Sequence, residues 1–153
     1  MLFRSPQAER PRVTHQSGQR HLADVERHYR EAGVDATLLP FIDNMAAQYA
    51  ESDLVICRAG ASTIAELAAA GVASVLVPFP QAVDDHQTHN ARFLSERGAA
   101  VFIPQTELTP QKLADLLRTL DRAALLDMAN KARAVAKPDA TQSVADECMR
   151  LAA

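Results

Sequence analysis

Glycine is scarce in this sequence, tryptophan is absent, and only two cysteines occur among the 153 residues. The five glycines are scattered singly, so the chain has neither a Walker loop nor the GxGxxG fingerprint of dinucleotide-binding folds. Cys57 and Cys148 cannot make a disulfide framework, and they read as buried free thiols of a reducing compartment. The formal net charge is −3, and no run of Lys and Arg is interleaved with aromatics, which argues against nucleic acid as a partner. No apolar stretch approaches the roughly 20 residues of a membrane span. The first twelve residues are too charged, and their apolar content too short, for a signal peptide. The expectation is a chain soluble by itself, reaching a membrane only through a partner domain. No Ser-His-Asp order or nucleophile elbow supports a hydrolase.

What is present is a globular composition and an alternation of short apolar runs with helical patterns. Strands are expected at residues 13–15, 36–39, 54–57, 74–77 and 100–103. Helices are expected at 22–31, 45–51, the stretch ended by Gly71, 86–97, 110–120, 122–136 and 141–152. Gly33, Gly71 and Gly98 supply stops, and Asp43 and Asn44 can cap the second helix. Strands without polar alternation, separated by helices, indicate a doubly wound α/β fold whose parallel sheet is covered on both faces. In such sheets ligands bind beyond the carboxyl ends of the strands. Five loops therefore matter: HQSG, PFIDN, RAGAST, PFPQAVDDHQ and PQTE.

RAGASTIAE is the most informative of them. Gly60 permits a tight turn, and Ala61, Ser62 and Thr63 present backbone amides at a helix start, where donors and dipole favour phosphate. Glu66 has two readings. Thr63-Ile64-Ala65-Glu66 fits the S/T-x-x-E capping box, and on spacing alone that reading is the stronger. Alternatively the carboxylate accepts from two neighbouring sugar hydroxyls. In the fourth loop, Asp84, Asp85, His86 and His89 are of metal-ligating type, but no second cluster completes a ligand set, and an Asp N-cap is the simpler account. A third reading is a sugar-binding loop in which Gln87 and Asn90 face hydroxyls. Ser17 and Ile42 are weak signals alone, readable as a cap and a hydrophobic staple.

Taken in order, HQSG, PFIDNMAAQYAESDLVICRAGASTIAELAAAGVASVLVPFP, DDHQTHNARFL and ERGAA resemble the C-terminal half of MurG-type peptidoglycan glycosyltransferases. The resemblance runs from about His15 to the end of the chain. It implies a GT-B fold, with two Rossmann-like domains, of which residues 13–153 correspond to the donor-binding one. It further implies binding of UDP-N-acetylglucosamine and transfer of its sugar to undecaprenyl-diphospho-muramoylpentapeptide at the cytoplasmic side of the membrane. On this resemblance Ile42 presents its backbone to uracil. Ala61, Ser62, Thr63, Ile64, Ala65 and Glu66 line the nucleotide, with Glu66 on the ribose. Ser17 lies near the diphosphate, and Gln87 contacts the N-acetylglucosamine. Arg58 and His86 match the pattern without an assigned contact.

No cofactor, no metal and no catalytic residue within this chain are implied. The acceptor domain with its catalytic His is expected to be absent, as is the glycine-rich strand and turn that opens the donor domain. Residues 1–12 do not match that lead-in. If the strand order is 3-2-1-4-5-6, the absent strand leaves either a gap or closure of its two neighbours onto each other. Two alternatives from other classes stand beside the transferase. One is a UDP-N-acetylglucosamine 2-epimerase-like isomerase, whose loop favours a double glycine and paired glutamates. The other is a non-catalytic nucleotide-sugar binding module.

Overall fold

The computed structural model describes residues 10–81 and 83–152. Most of the expected lead-in, including Pro6, lies outside the described residues. The chain divides into two compact units, one formed by the part up to Glu51 with Glu107–Leu120, the other by Ser52–Thr106 with Asp121–Ala153.

In the first unit, strand β1 (Thr14–Gln16) pairs in parallel with β2 (Thr37–Leu39), with His15 opposite Leu38. Helix α1 (Leu22–Glu31) connects them, after a single 3-10 turn at Gln19–His21 that sequence reasoning did not anticipate. Gly33 lies just beyond α1 with φ +60°. Helix α2 (Met45–Ala50) is capped by Asn44, whose side chain accepts from the Ala47 amide at 3.0 Å. The first unit also holds α5 (Pro110–Thr119), at whose start the Thr109 side chain accepts from the Lys112 amide at 3.1 Å.

The second unit holds a three-stranded parallel sheet of β3 (Val55–Cys57), β4 (Ser74–Leu76) and β5 (Val101–Phe102), in the order β3-β4-β5. Its helices are α3 (Ala61–Ala70), α4 (His86–Ser95), α6 (Arg122–Ala134) and α7 (Ala140–Ala152). β4 is the centre of this unit: Ser74, Val75 and Leu76 are all fully buried, against an apolar set that includes Leu67, Leu94 and Ile103. Gly71 ends α3 in the left-handed region, where its amide and that of Val72 both donate to the Leu67 carbonyl. A Cβ there would meet Arg133 Cβ of α6 at 3.2 Å, and the Arg133 guanidinium donates to the Ala69 carbonyl. Among the described residues, no helix is long and apolar enough to cross a membrane.

Every strand pair among the described residues is parallel, as the apolar runs require, and the strands form two sheets, the interrupted order foreseen for an absent first strand. Among the described residues β1 and β3 do not pair with each other, and two other expectations, on burial and on Cys148, need correction. Of the two outcomes foreseen for those neighbours, closure onto each other does not occur. The pairs β1-β2 and β3-β4-β5 are those the order 3-2-1-4-5-6 leaves when its first strand is not counted. Burial on both faces holds for β4 alone: Thr14, Gln16, Thr37 and Ile56 are exposed. Finally, Cys148 is exposed on α7, a helix with no buried residue, and only Cys57 is sheltered. The apolar neighbours of Cys148 on α7, such as Val144 and Leu151, are themselves exposed, so its sequence context carried no burial signal.

Candidate functional site

The turn after β3 decides the most. Helix α3 begins at Ala61 with Gly60 as its N-cap, so the Gly60 carbonyl accepts from the Ile64 amide at 3.0 Å. Thr63 is thus the third helical residue, and Glu66 the sixth. The capping-box reading fails, because Thr63 lies inside the first turn and cannot cap the helix it belongs to. A glycine N-cap has no side-chain oxygen, so the amides of Ala61, Ser62 and Thr63 find no partner among the described residues. Ala61 and Ser62 are exposed, while Ile64 turns inward and is buried.

The backbone does not demand a glycine at this cap. Gly60 has φ −65° and ψ 152°, open to any residue, and a Cβ would meet nothing nearer than Thr63 Oγ1 at 3.5 Å. Asn44, Thr109 and Asp121 cap α2, α5 and α6 through their side chains, whereas α1 and α4, like α3, have no side-chain cap. Glu66 is exposed on α3, and its charge acts on Cys57. Burial, with the Glu66 carboxylate as a second cause, pushes the Cys57 thiol up to about 11, so it is a protonated, unreactive group at neutral pH.

Helix α4 meets this turn through its first residues. Gln87 Oε1 accepts from the Phe79 amide at 2.9 Å and the Ala59 amide at 3.3 Å. One turn further along, Asn90 Nδ2 donates to the Ala59 carbonyl at 3.0 Å. The reading of Gln87 and Asn90 as facing hydroxyls is therefore incomplete, since two of their polar atoms make three hydrogen bonds to backbone. Gln87 Nε2 has no partner among the described residues. Arg58 donates from Nη1 to the carbonyls of Val77 (3.1 Å) and Pro78 (3.0 Å), with its guanidinium 5.5 Å from the Phe79 ring centroid. Arg58 thus ties the two loops together.

Asp84 and Asp85 adopt φ +52° and +51°, uncommon for residues with a side chain. Asp85 occupies the N-cap of α4, yet its carboxylate accepts from Thr88 Oγ1 at 2.6 Å and caps no backbone amide. Among the described residues no three His, Cys, Asp or Glu side chains converge as a metal site would require. A hollow of about 190 Å³ at the far end of α3, lined by Asp53, Val72, Arg122 and Leu126 among others, contains none of the expected site residues.

In the first unit, Ser17 follows β1, its amide donating to the Leu39 carbonyl and its hydroxyl to the Gly18 carbonyl. Gly18 has φ +75°, a conformation that favours glycine. The Ile42 amide donates to Gln16 Oε1 at 2.9 Å, a contact between HQSG and PFIDN that spacing could not reveal. His15 Nδ1 lies 3.2 Å from the Tyr29 hydroxyl, and burial lowers the affinity of His15 for a proton.

Parallel strands with helical crossovers, and a helix start bearing unpaired amides beyond a strand's carboxyl end, define a Rossmann-like domain: the C-terminal half of a GT-B glycosyltransferase. The chain belongs to the glycosyltransferase family 28 C-terminal domain family, whose profile matches residues 3–146. It is 60% identical over 152 residues to the UDP-N-acetylglucosamine–N-acetylmuramyl-(pentapeptide) pyrophosphoryl-undecaprenol N-acetylglucosamine transferase of Nitrosospira multiformis, covering 99% of this chain and 43% of that protein. The transferase of the same description from Aromatoleum aromaticum is 59% identical, with the same coverage. Among solved structures, MurG of Acinetobacter baumannii superposes with a TM-score of 0.86 at 47% identity, over 91% of this chain and 43% of that one. The glycosyltransferase VinC, at 22% identity and a TM-score of 0.63, shares the fold. The chain spans less than half the length of these relatives.

Proposed function

We propose that this chain binds UDP-N-acetylglucosamine and forms the donor half of a transferase that moves N-acetylglucosamine onto undecaprenyl-diphospho-muramoylpentapeptide. The observation that carries the reading is the N-terminus of α3: three amides without a partner among the described residues, behind a glycine that neither backbone nor space requires. Such a terminus suits a diphosphate. In the reaction an acceptor hydroxyl displaces UDP at the anomeric carbon. The amides of Ala61, Ser62 and Thr63 then stabilise the charge that develops on the departing diphosphate. The general base for the acceptor belongs to a part of the enzyme outside this chain.

The remaining assignments follow the resemblance. Glu66 takes the ribose hydroxyls. Ser17 lies near the diphosphate. Ile42 meets uracil through its backbone, and because its amide is engaged by Gln16, the carbonyl is what it offers first. Gln87 contacts the sugar, and with Oε1 occupied it does so as a donor through Nε2. The lipid-linked acceptor places the whole enzyme peripherally at the cytoplasmic face of the membrane. The transferase names of the relatives favour a transferase over an epimerase.

Gly60→Asp tests the reading directly. The new carboxylate can cap α3, which raises helix stability by a few tenths of a kcal/mol or more. The same carboxylate occupies the amides and repels phosphate, so UDP affinity should fall by about tenfold or more in calorimetric titration. Undiminished UDP binding in Gly60→Asp would remove the diphosphate from this helix start.

A further inference from the structure

Ala59 is fully buried and immediately precedes Gly60. Both of its peptide groups are held by side chains of α4: the amide by Gln87 Oε1 and the carbonyl by Asn90 Nδ2, residues one helical turn apart. Gln87 Oε1 is shared with the Phe79 amide, so the exit of β4 is gripped by the same atom. The orientation of the Gln87 amide is fixed by chemistry, since both of its partners are N–H donors and only an oxygen can face them. A residue so held from both sides cannot rotate its peptide planes, and those planes set the direction in which Gly60 delivers the chain into α3. We propose that Asn90 is a positioning residue for the nucleotide: acting through Ala59, it aims the unpaired amides of α3, and with Gln87 it couples the sugar end of the site to the diphosphate end.

The inference rests on the reading of the α3 start as the diphosphate site, and it makes a claim that a sugar contact would not. An Asn90 that only touched sugar would leave binding of UDP, which carries no sugar beyond its ribose, unchanged. Under the present inference, Asn90→Ala should weaken UDP by roughly tenfold, the loss of one buried hydrogen bond plus the unpaired carbonyl it leaves. Asn90→Asp, of nearly the same size, should do at least as much harm because it turns an oxygen toward the Ala59 carbonyl.

The test is titration of UDP and of UDP-N-acetylglucosamine into the wild-type chain and both variants, well below their melting temperatures. The alkylation rate of the sheltered Cys57 serves as a check that the unit is folded. Loss of UDP affinity in both variants, with Cys57 still protected, supports the inference; unchanged UDP affinity with reduced affinity for the sugar nucleotide overturns it. If the Asn90 variants do not fold, Gln87→Met and Gln87→Glu decide, because Glu keeps an acceptor for the Ala59 and Phe79 amides and Met does not. UDP binding weakened in Gln87→Met and recovered in Gln87→Glu supports the coupling, and equal binding in both overturns it. A wild-type chain that fails to bind UDP would instead sink the reading of the diphosphate site itself.

Discussion

The two compact units of this chain are built to different depths. In the second, β4 has strands on both sides, and each of its three side chains is buried. In the first, the sheet has two strands, and no residue of β1, β2, α1 or α2 is buried. Among the described residues, all buried apolar side chains except Leu113 and Ala114 belong to the second unit. A two-stranded sheet is marginal by itself, whereas a three-stranded one with a packed face can stand. The residues proposed for diphosphate, ribose and sugar, apart from Ser17, are mounted on the packed scaffold. Ser17 and Ile42 depend instead on local hydrogen bonds such as that from the Ile42 amide to Gln16. Precision at the site is thus expected to come from the second unit.

The largest effect that can break this comparison is a core truncation. Leu76→Ala at the centre of β4 should cost about 2–5 kcal/mol in denaturant unfolding, as fully buried leucines do. Leu38→Ala in the half-buried β2 should cost less than half as much. Equal costs would mean that the first unit is packed as tightly as the second.

A smaller effect depends on pH. Cys57 in β3 holds its proton up to about 11, against an ordinary 9.0. The folded chain therefore binds that proton more tightly than the unfolded one. The resulting stability, on the order of 2 kcal/mol, is fully present below pH 9 and is lost as pH rises through 11. Comparing wild type with Cys57→Ala in unfolding from pH 8 to 11 checks it, since the variant should lose the added slope. Parallel curves would show that the Cys57 thiol ionises as readily in the folded chain as in the unfolded one.

The smallest expected effect sharpens the account of β4. Ser74 Oγ is fully buried and has no hydrogen-bond partner among the described residues. Ser74→Ala should be neutral or stabilise by up to about 1 kcal/mol, because a hydroxyl without a partner is costly to bury. A clear loss of melting temperature would reveal a partner for that hydroxyl.

The order and nature of the regular elements were legible because the chain marks them locally. Continuous apolar runs gave β3 and β4, Gly33, Gly71 and Gly98 stopped helices with positive φ, and Asn44 capped α2 as expected. The bounds of α1 agree with the spacing to the residue. The misreadings came where a local pattern had a tertiary rival. Thr63 and Glu66 have capping-box spacing, but the chain enters α3 three residues earlier, with Gly60 at the cap. Asp85 sits at a cap position in a left-handed conformation and spends its carboxylate on Thr88. The grip of Gln87 and Asn90 on Ala59, 28 and 31 positions away, has no signature in spacing. Local rules pointed to phosphate and sugar hydroxyls, and the resemblance to a known family supplied the particular ligand proposed.

Gly60 bears on how such a protein can be improved or damaged. Its backbone angles and surroundings accept a side chain, so a laboratory screen that scores only resistance to heat should recover Ser, Asp or Asn at this position among its winners. Those variants would pass every test of solubility and melting while the helix start proposed to bind nucleotide had been sealed by the protein's own carboxylate, carboxamide or hydroxyl. A helix left deliberately unfinished is a vulnerability to selection for robustness, and a position at which thermal and functional fitness pull apart.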